Sequence, residues 1–235
     1  MNAYNPEKPI IIECAMRSEA NLILAAMSNV RESSILSYPV YEGTIKNSPV
    51  VLACNKVGMI NAAALTMALL DRYGPKCLIS EGTAGAYSDS LRTNDLILAD
   101  RIYNVNGIHM TEQNCAVLEQ LTLGEWRRNI SFPSAEALLD LAGSIPYPYG
   151  RVIRGGVGSA DFWSFEKGQI HEITGRYPAL CEDMESFAEA QVCSLRQTDF
   201  LCVRILSNNE LTGESFDPAS AEKCQEFVLH LIEKL

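Results

Sequence analysis

The stretch Cys181 to Val192, CEDMESFAEAQV, places four acids and a methionine in an otherwise apolar, helix-favouring run. Met184, Phe187, Ala188 and Val192 fall at i, i+3, i+4 and i+8, the period of a helix with one buried stripe. Glu185 stands beside that stripe, at the first turn of the expected helix. The pair is a strong hydrogen-bond acceptor next to a soft, polarisable thioether. An acid also suits any helix N-terminus, so the two residues alone leave a purely structural reading open.

Other chemistry-bearing residues gather where strands are expected to end, which is where ligands bind in open α/β sheets. Met16-Arg17-Ser18-Glu19 follows the first strand and Gly82-Thr83-Ala84-Gly85 a later one. Gly158-Ser159-Ala160-Asp161-Phe162-Trp163 offers two aromatic rings after small residues. Glu182-Asp183-Met184-Glu185 and Ser207-Asn208-Asn209-Glu210 complete the set. Glu19 reads by itself as a first-turn acid of a helix begun by Ser18. The small loop Gly82 to Gly85 allows close backbone approach, or is an ordinary strand-to-helix turn.

The elements that must position these groups read as alternating strands and helices. Pro9 to Ala15 is a short apolar run suited to a strand buried on both faces. A helix follows over 18–27, with Ser18 as its N-cap. Two β-rich segments over 38–55 flank the turn Lys46-Asn47-Ser48-Pro49. The segments 58–73, 133–144, 164–177 and 218–235 read as helices; 76–87, 94–103, 150–163 and 199–210 read as strands with polar or glycine-rich ends. Asn104 to Phe132 is the least periodic stretch and reads as long loops. The pattern predicts one α/β domain over 1–235, with a mixed, mainly parallel central sheet flanked by helices and a flexible 1–8.

Composition narrows the function. The 235 residues, 47% hydrophobic and 20% charged, suffice for a substantial core. A net charge of −10 without a Lys/Arg cluster argues against nucleic-acid binding. No apolar run reaches the length of a membrane span, and MNAYNPEKP lacks the apolar core of a secretory signal. Eight scattered cysteines without a CxxC pair read as small buried hydrophobes of a reduced, cytoplasmic protein. The sequon Asn129-Ile130-Ser131 reads as chance in that setting. His109, His171 and His230 show no ligand spacing, so neither metal nor cofactor is expected.

In order, AMRSEA, NKVGMINAA, EGTAGA, GSADFW, DMESFAEAQVC and VRILSN resemble the nucleoside phosphorylase superfamily, and within it the methylthioadenosine/S-adenosylhomocysteine nucleosidases. The resemblance runs from Ile10 to about Asn208 in motifs. It implies a homodimeric purine nucleoside hydrolase in which Glu19 activates water and Glu185 accepts from the ribose hydroxyls. Met184 would pack on the sugar and Phe162 stack on the base, with Trp163 as its pocket neighbour. Asn208 and Ser207 would face the purine edge. Met16, Val57, Thr83, Ala84 and Gly85 would complete the binding walls.

Two departures qualify this picture. Phosphorylases of the superfamily carry a phosphate-gripping arginine before the small-residue loop, where this chain has Glu81, an acid expected to repel phosphate. Arg17 is the remaining candidate for that grip, or else pairs with Glu19. Hydrolysis is therefore expected over phosphorolysis. The nucleosidases also carry an aspartate where this chain has Asn208, and an amide donates a hydrogen bond but delivers no proton. Glu210 and Asp183 are nearby acids that can compensate. A 6-oxopurine nucleosidase, a phosphorylase and a nucleoside-binding protein without catalysis remain the alternatives, and a metal hydrolase is the outlier.

Overall fold

The computed structural model describes residues 8–106, 108–110, 115–117 and 131–235, with backbone alone in 108–110 and 115–117. Most of the expected loop region from Asn104 to Phe132, the sequon's Asn129-Ile130, the side chain of His109 and nearly all of the 1–8 segment lie outside the described residues.

In chain order the elements begin with β1 (Ile10–Cys14), a 3-10 turn (Arg17–Glu19), α1 (Asn21–Ala26), β2 (Ser28–Ile35), β3 (Tyr38–Ile45), β4 (Ser48–Cys54) and α2 (Met59–Tyr73). Next come β5 (Cys77–Ala86), β6 (Leu96–Asn104), β7 (Ile108–Met110), β8 (Cys115–Val117), β9 (Ser131–Pro133) and α3 (Glu136–Gly143). The chain finishes with β10 (Val152–Ser159), α4 (Lys167–Thr174), β11 (Ala179–Asp183), α5 (Ser186–Leu195), β12 (Asp199–Asn208) and α6 (Ser220–Ile232).

One mixed sheet runs β11-β10-β6-β12-β5-β1-β4-β3-β2. The pairings β4–β1, β1–β5, β5–β12, β6–β10 and β10–β11 are parallel, whereas β12–β6 and the β2–β3–β4 edge are antiparallel. The far end of β5 pairs antiparallel with β11, closing β5, β12, β6, β10 and β11 into a ring.

Alternation along the central strands distributes the core to both faces. Ile10 and Ile12 of β1 join Phe227 and Val228 of α6, while Ile11 joins Leu65 and Leu69 of α2 and Phe187 of α5. Glu13 shares the Ile11 face, so a carboxylate occupies what the pattern marks as a core position.

Four expectations change. β2 was not foreseen: its residues are mostly exposed, so an edge strand shows no apolar alternation, and Leu36-Ser37 turns at positive φ without an Asn-Gly signal. Consecutive strands β2, β3 and β4 thus break the strict strand–helix alternation. Ser18 is not a helix cap, because it lies inside the 3-10 turn and α1 starts after Ala20. The Gly82 to Gly85 segment is not a loop, since β5 continues through it to Ala86.

Candidate active site

The twelve site residues read from the sequence all line one cavity of about 280 Å³: Met16, Glu19, Val57, Thr83, Ala84, Gly85, Phe162, Trp163, Met184, Glu185, Ser207 and Asn208. It opens at the ends of β1, β5, β11 and β12. Ala15 and Phe216 join them without having been proposed for it, as do Glu182 and Asp183, the second of which was expected only as a compensating acid.

Glu19 is only 2% exposed and is held at both oxygens. Oε2 accepts from the Met16 backbone N–H at 3.0 Å; Oε1 accepts from the Thr83 N–H at 2.9 Å and its hydroxyl at 3.0 Å. The close approach that glycine permits here is to this carboxylate: a Cβ at Gly82 would lie 3.0 Å from Glu19 Oε1. Three donors converging on a buried carboxylate orient it without long side-chain freedom, as a base requires.

Glu185 is the N-cap residue of α5, one position outside the expected helix, and Met184 precedes the helix as a cavity wall instead of sitting on its stripe. Glu185 Oε1 accepts from the N–H of Gly58 at 2.9 Å. Gly58 adopts φ 107°, a left-handed conformation open to glycine, and so turns that N–H toward the site. Asp183 Oδ1 accepts from the N–H groups of Glu185 (3.3 Å) and Ser186 (3.2 Å), and its Oδ2 accepts from Arg204 Nε at 2.8 Å. Burial, and then the neighbouring Asp183 charge, push Glu185 up to about 8. Asp183 is therefore committed to Arg204 and the start of α5, not to the base edge.

At the other end of the cavity, the Ser207 hydroxyl lies 3.1 Å from Asn208 Oδ1 and 3.2 Å from the Ala84 carbonyl. Asn208 Nδ2 donates to Glu210 Oε1 at 3.2 Å, which fixes the amide with nitrogen toward Glu210 and leaves its second N–H to donate elsewhere. Phe162 packs on the Tyr87–Ile170–Tyr177 cluster. Trp163, 42% exposed, stacks on Phe165 at 5.3 Å and meets Phe216 edge-on at 6.4 Å. Glu182 is tied down by Tyr87 Oη (2.6 Å) and by the Ser164 N–H and hydroxyl (2.8 Å each).

Beneath Glu19 lies a second, polar cavity of about 10 Å³, lined by Ser80, Glu81, Glu185, Glu189 and Arg204 among others. That is the room of one water molecule. Both oxygens of Glu81 lack a hydrogen-bond partner, and burial, with Glu19 next, pushes its carboxyl well above the usual range. Burial thus favours the uncharged form of Glu81, and a recess of about 10 Å³ leaves phosphate no room. Arg17 donates to Asn21 Oδ1 at 3.1 Å and to the Tyr41 hydroxyl and lines neither cavity, so it is no substitute phosphate grip.

Arg204 and Glu189 are the main site-adjacent residues given no role in the sequence reading. An arginine inside the apolar run LCVRILS was a legible signal, because buried cations need partners. Phe216 had none, since irregular chain carries it back to the cavity. Among the described residues no group of His, Cys, Asp or Glu is arranged to hold a metal ion, and no helix is long and apolar enough to cross a membrane.

A fold and site of this kind define a class: the chain belongs to the phosphorylase superfamily, whose family model matches residues 9–233. Within that class it is 28% identical over 229 residues to the 5′-methylthioadenosine/S-adenosylhomocysteine nucleosidase of Haemophilus influenzae (strain PittGG), covering 94% of this chain and 97% of that one. The corresponding nucleosidase of Geobacillus kaustophilus (strain HTA426) is 27% identical over 226 residues, 93% and 94% of the two chains. Among solved structures, the nucleosidase from Neisseria meningitidis in complex with methylthio-immucillin-A superposes with TM-score 0.85 at 22% identity, covering 97% of this chain and 100% of that one. Futalosine hydrolase of Helicobacter pylori strain 26695 gives 0.85 at 19% identity, covering 97% and 99%.

Proposed function

We propose that the chain hydrolyses the N-glycosidic bond of a purine nucleoside of the 5′-methylthioadenosine/S-adenosylhomocysteine type. The observation that carries this reading is a fixed carboxylate, Glu19, standing between a nucleoside-sized cavity and a polar recess sized for one water. Glu19 takes a proton from water as the water oxygen bonds to the anomeric carbon. The electron pair of the broken C–N bond leaves with the purine, whose edge Asn208 and Ser207 address. Glu185 and Met184 hold the sugar, and a carboxylate there favours the cationic character developing on the ring. Phe162 stacks on the base, while Met16, Val57, Thr83, Ala84, Gly85 and Trp163 shape the walls. No step calls for a cofactor or a metal.

The reading extends to one domain over 1–235 acting as a cytoplasmic homodimer. Val57 at the cavity wall is 45% exposed and Ile60 83% exposed, an apolar surface that a second copy would cover. Among the described residues seven cysteines are buried and free of disulfides, which suits a reducing compartment.

A second reading concerns the base. The Asn208 amide, with its nitrogen toward Glu210, has an N–H left to give and no proton to deliver, which suits the O6 and N7 acceptors of a 6-oxopurine.

Base release from methylthioadenosine and from inosine, each without and with phosphate, tests both readings. The expected result is phosphate-independent release, cut by about 10²–10⁴ in Glu19→Gln. Release of hypoxanthine alone would establish the second reading. Release only with phosphate would overturn hydrolysis, and tight binding without release would leave a nucleoside-binding protein.

A further inference from the structure

One buried cluster lies outside the roles assigned so far. Asn55 Nδ2 donates to Glu13 Oε1 and to Glu189 Oε1, each at 3.0 Å, so one amide nitrogen bridges two carboxyl groups. Glu13 Oε2 accepts from the Thr66 hydroxyl at 2.8 Å. Glu189 Oε2 has no partner, and Glu189 lines the same small recess as Glu185 and Arg204.

The cluster is wired to the site through all three of its elements. Glu13 is on β1, which leads into Met16 and Glu19. Asn55 follows β4, its own N–H donates to the Cys14 carbonyl at 2.9 Å, and three residues later Gly58 holds Glu185. Glu189 stands one helical turn after Glu185, and its N–H donates to the Glu185 carbonyl at 3.3 Å.

The charged and titratable neighbours are few. Arg204 of β12 is the cation, already engaged by Asp183 of β11 and by the Ser80 hydroxyl of β5 at 2.9 Å. Cys54 of β4 faces Glu13, Cys193 of α5 faces both acids, and Cys202 of β12 faces Glu189. From α2 comes the neutral Thr66. With Glu81 of β5, which lines the same small recess and faces the same guanidinium, Glu13, Glu185 and Glu189 thus share one partly spent positive charge in a deeply buried place. Like charges this close and this deeply buried do not all ionise together, so their protons come off as a set.

We propose that Glu13 and Glu189, bridged by Asn55, form a buried proton-holding pair that sets the charge state of Glu185, the residue our functional reading places on the ribose. Both are positioning residues: they act through Glu185 and touch no substrate. Burial above all pushes Glu13 up to about 8 and Glu189 well above the usual carboxylate range. Glu185, itself pushed up to about 8 by burial and the Asp183 charge, titrates in the same range as Glu13. Whichever of the set ionises first opposes the next: a Glu189 charge raises Glu185, and a Glu185 charge raises Glu13.

The test is the pH profile of kcat/KM for base release, in wild type, Glu13→Gln and Glu189→Gln. Glutamine keeps the shape and the acceptor oxygen but cannot ionise. The acid-side midpoint is expected to move down by about one pH unit, a roughly tenfold gain one unit below the wild-type midpoint. Asn55→Asp, which adds a third acid, is expected to move it up. Folded glutamine variants with the wild-type midpoint would overturn the proposal, because a structural role changes the rate without moving the profile. Infrared titration of the carboxyl stretch, without substrate, reads the same protons directly. A protonated carboxyl band lost near pH 8 in wild type and diminished in Glu13→Gln would support the pair even if no tested nucleoside were cleaved. No such band would sink the pair while leaving the hydrolase reading standing.

Discussion

The cavity wall and the layer beneath it are built on opposite principles. The wall is apolar and open, with an exposed aromatic rim of Trp163, Phe165 and Phe216. The layer beneath is closed and ionisable, with Glu13, Glu81 and Glu189 around the single guanidinium of Arg204, while Asp183 and Glu185 belong to both. A ligand can be accepted by shape and stacking in the first region, where each contact is worth little and can be replaced. In the second, every group depends on its neighbours' protons and donors, so a change to one is felt by all.

Arg204→Met should show the difference most strongly. It would strand Asp183, whose oxygens hold the start of α5, and leaving one member of a buried ion pair alone costs about 3–5 kcal/mol. A fall of about 10 °C or more in melting temperature is expected. A shift under about 2 °C would show that the buried layer is far less interdependent than its geometry indicates.

Gly82→Ala probes the boundary between the regions. Its methyl would press on Glu19 Oε1, which three donors already hold in place. We expect kcat to fall by about ten- to a hundredfold with the fold retained, since small misplacement of a catalytic group is expensive. Unchanged kcat would mean that Glu19 adjusts freely, and the rigid-layer picture would fail there.

Trp163→Ala should have the smallest effect. The ring is half exposed at the rim, so KM is expected to rise a few-fold, with kcat and melting temperature nearly unchanged. A large loss of kcat would place the rim inside the chemistry and erase the contrast.

Much of the wall was legible because its residues lie next to strand ends in the sequence. Glu19 is five residues past the end of β1, Thr83 to Gly85 lie in the last residues of β5, and Ser207-Asn208 close β12. Local order plus the rule that ligands sit beyond parallel strand ends was enough to gather them. The edge strand β2 was illegible because solvent imposes no alternation on it. The path of Phe216 was illegible because an irregular segment carries no period.

The amino-acid sequence by itself determined the α/β class, the central strands and helices, and the strand-end segments that make the cavity wall, because periodicity and strand-end position are local properties. The family resemblance singled out residues within those segments and added Val57. Only the tertiary structure decided that Glu13, on β1, and Glu189, on α5, meet across Asn55, that Glu81 is starved of partners, and that Arg204 serves Asp183. Those facts depend on which chain segments pack together and how much water they exclude, and burial is a property of the assembled neighbourhood, not of any residue's place in the chain.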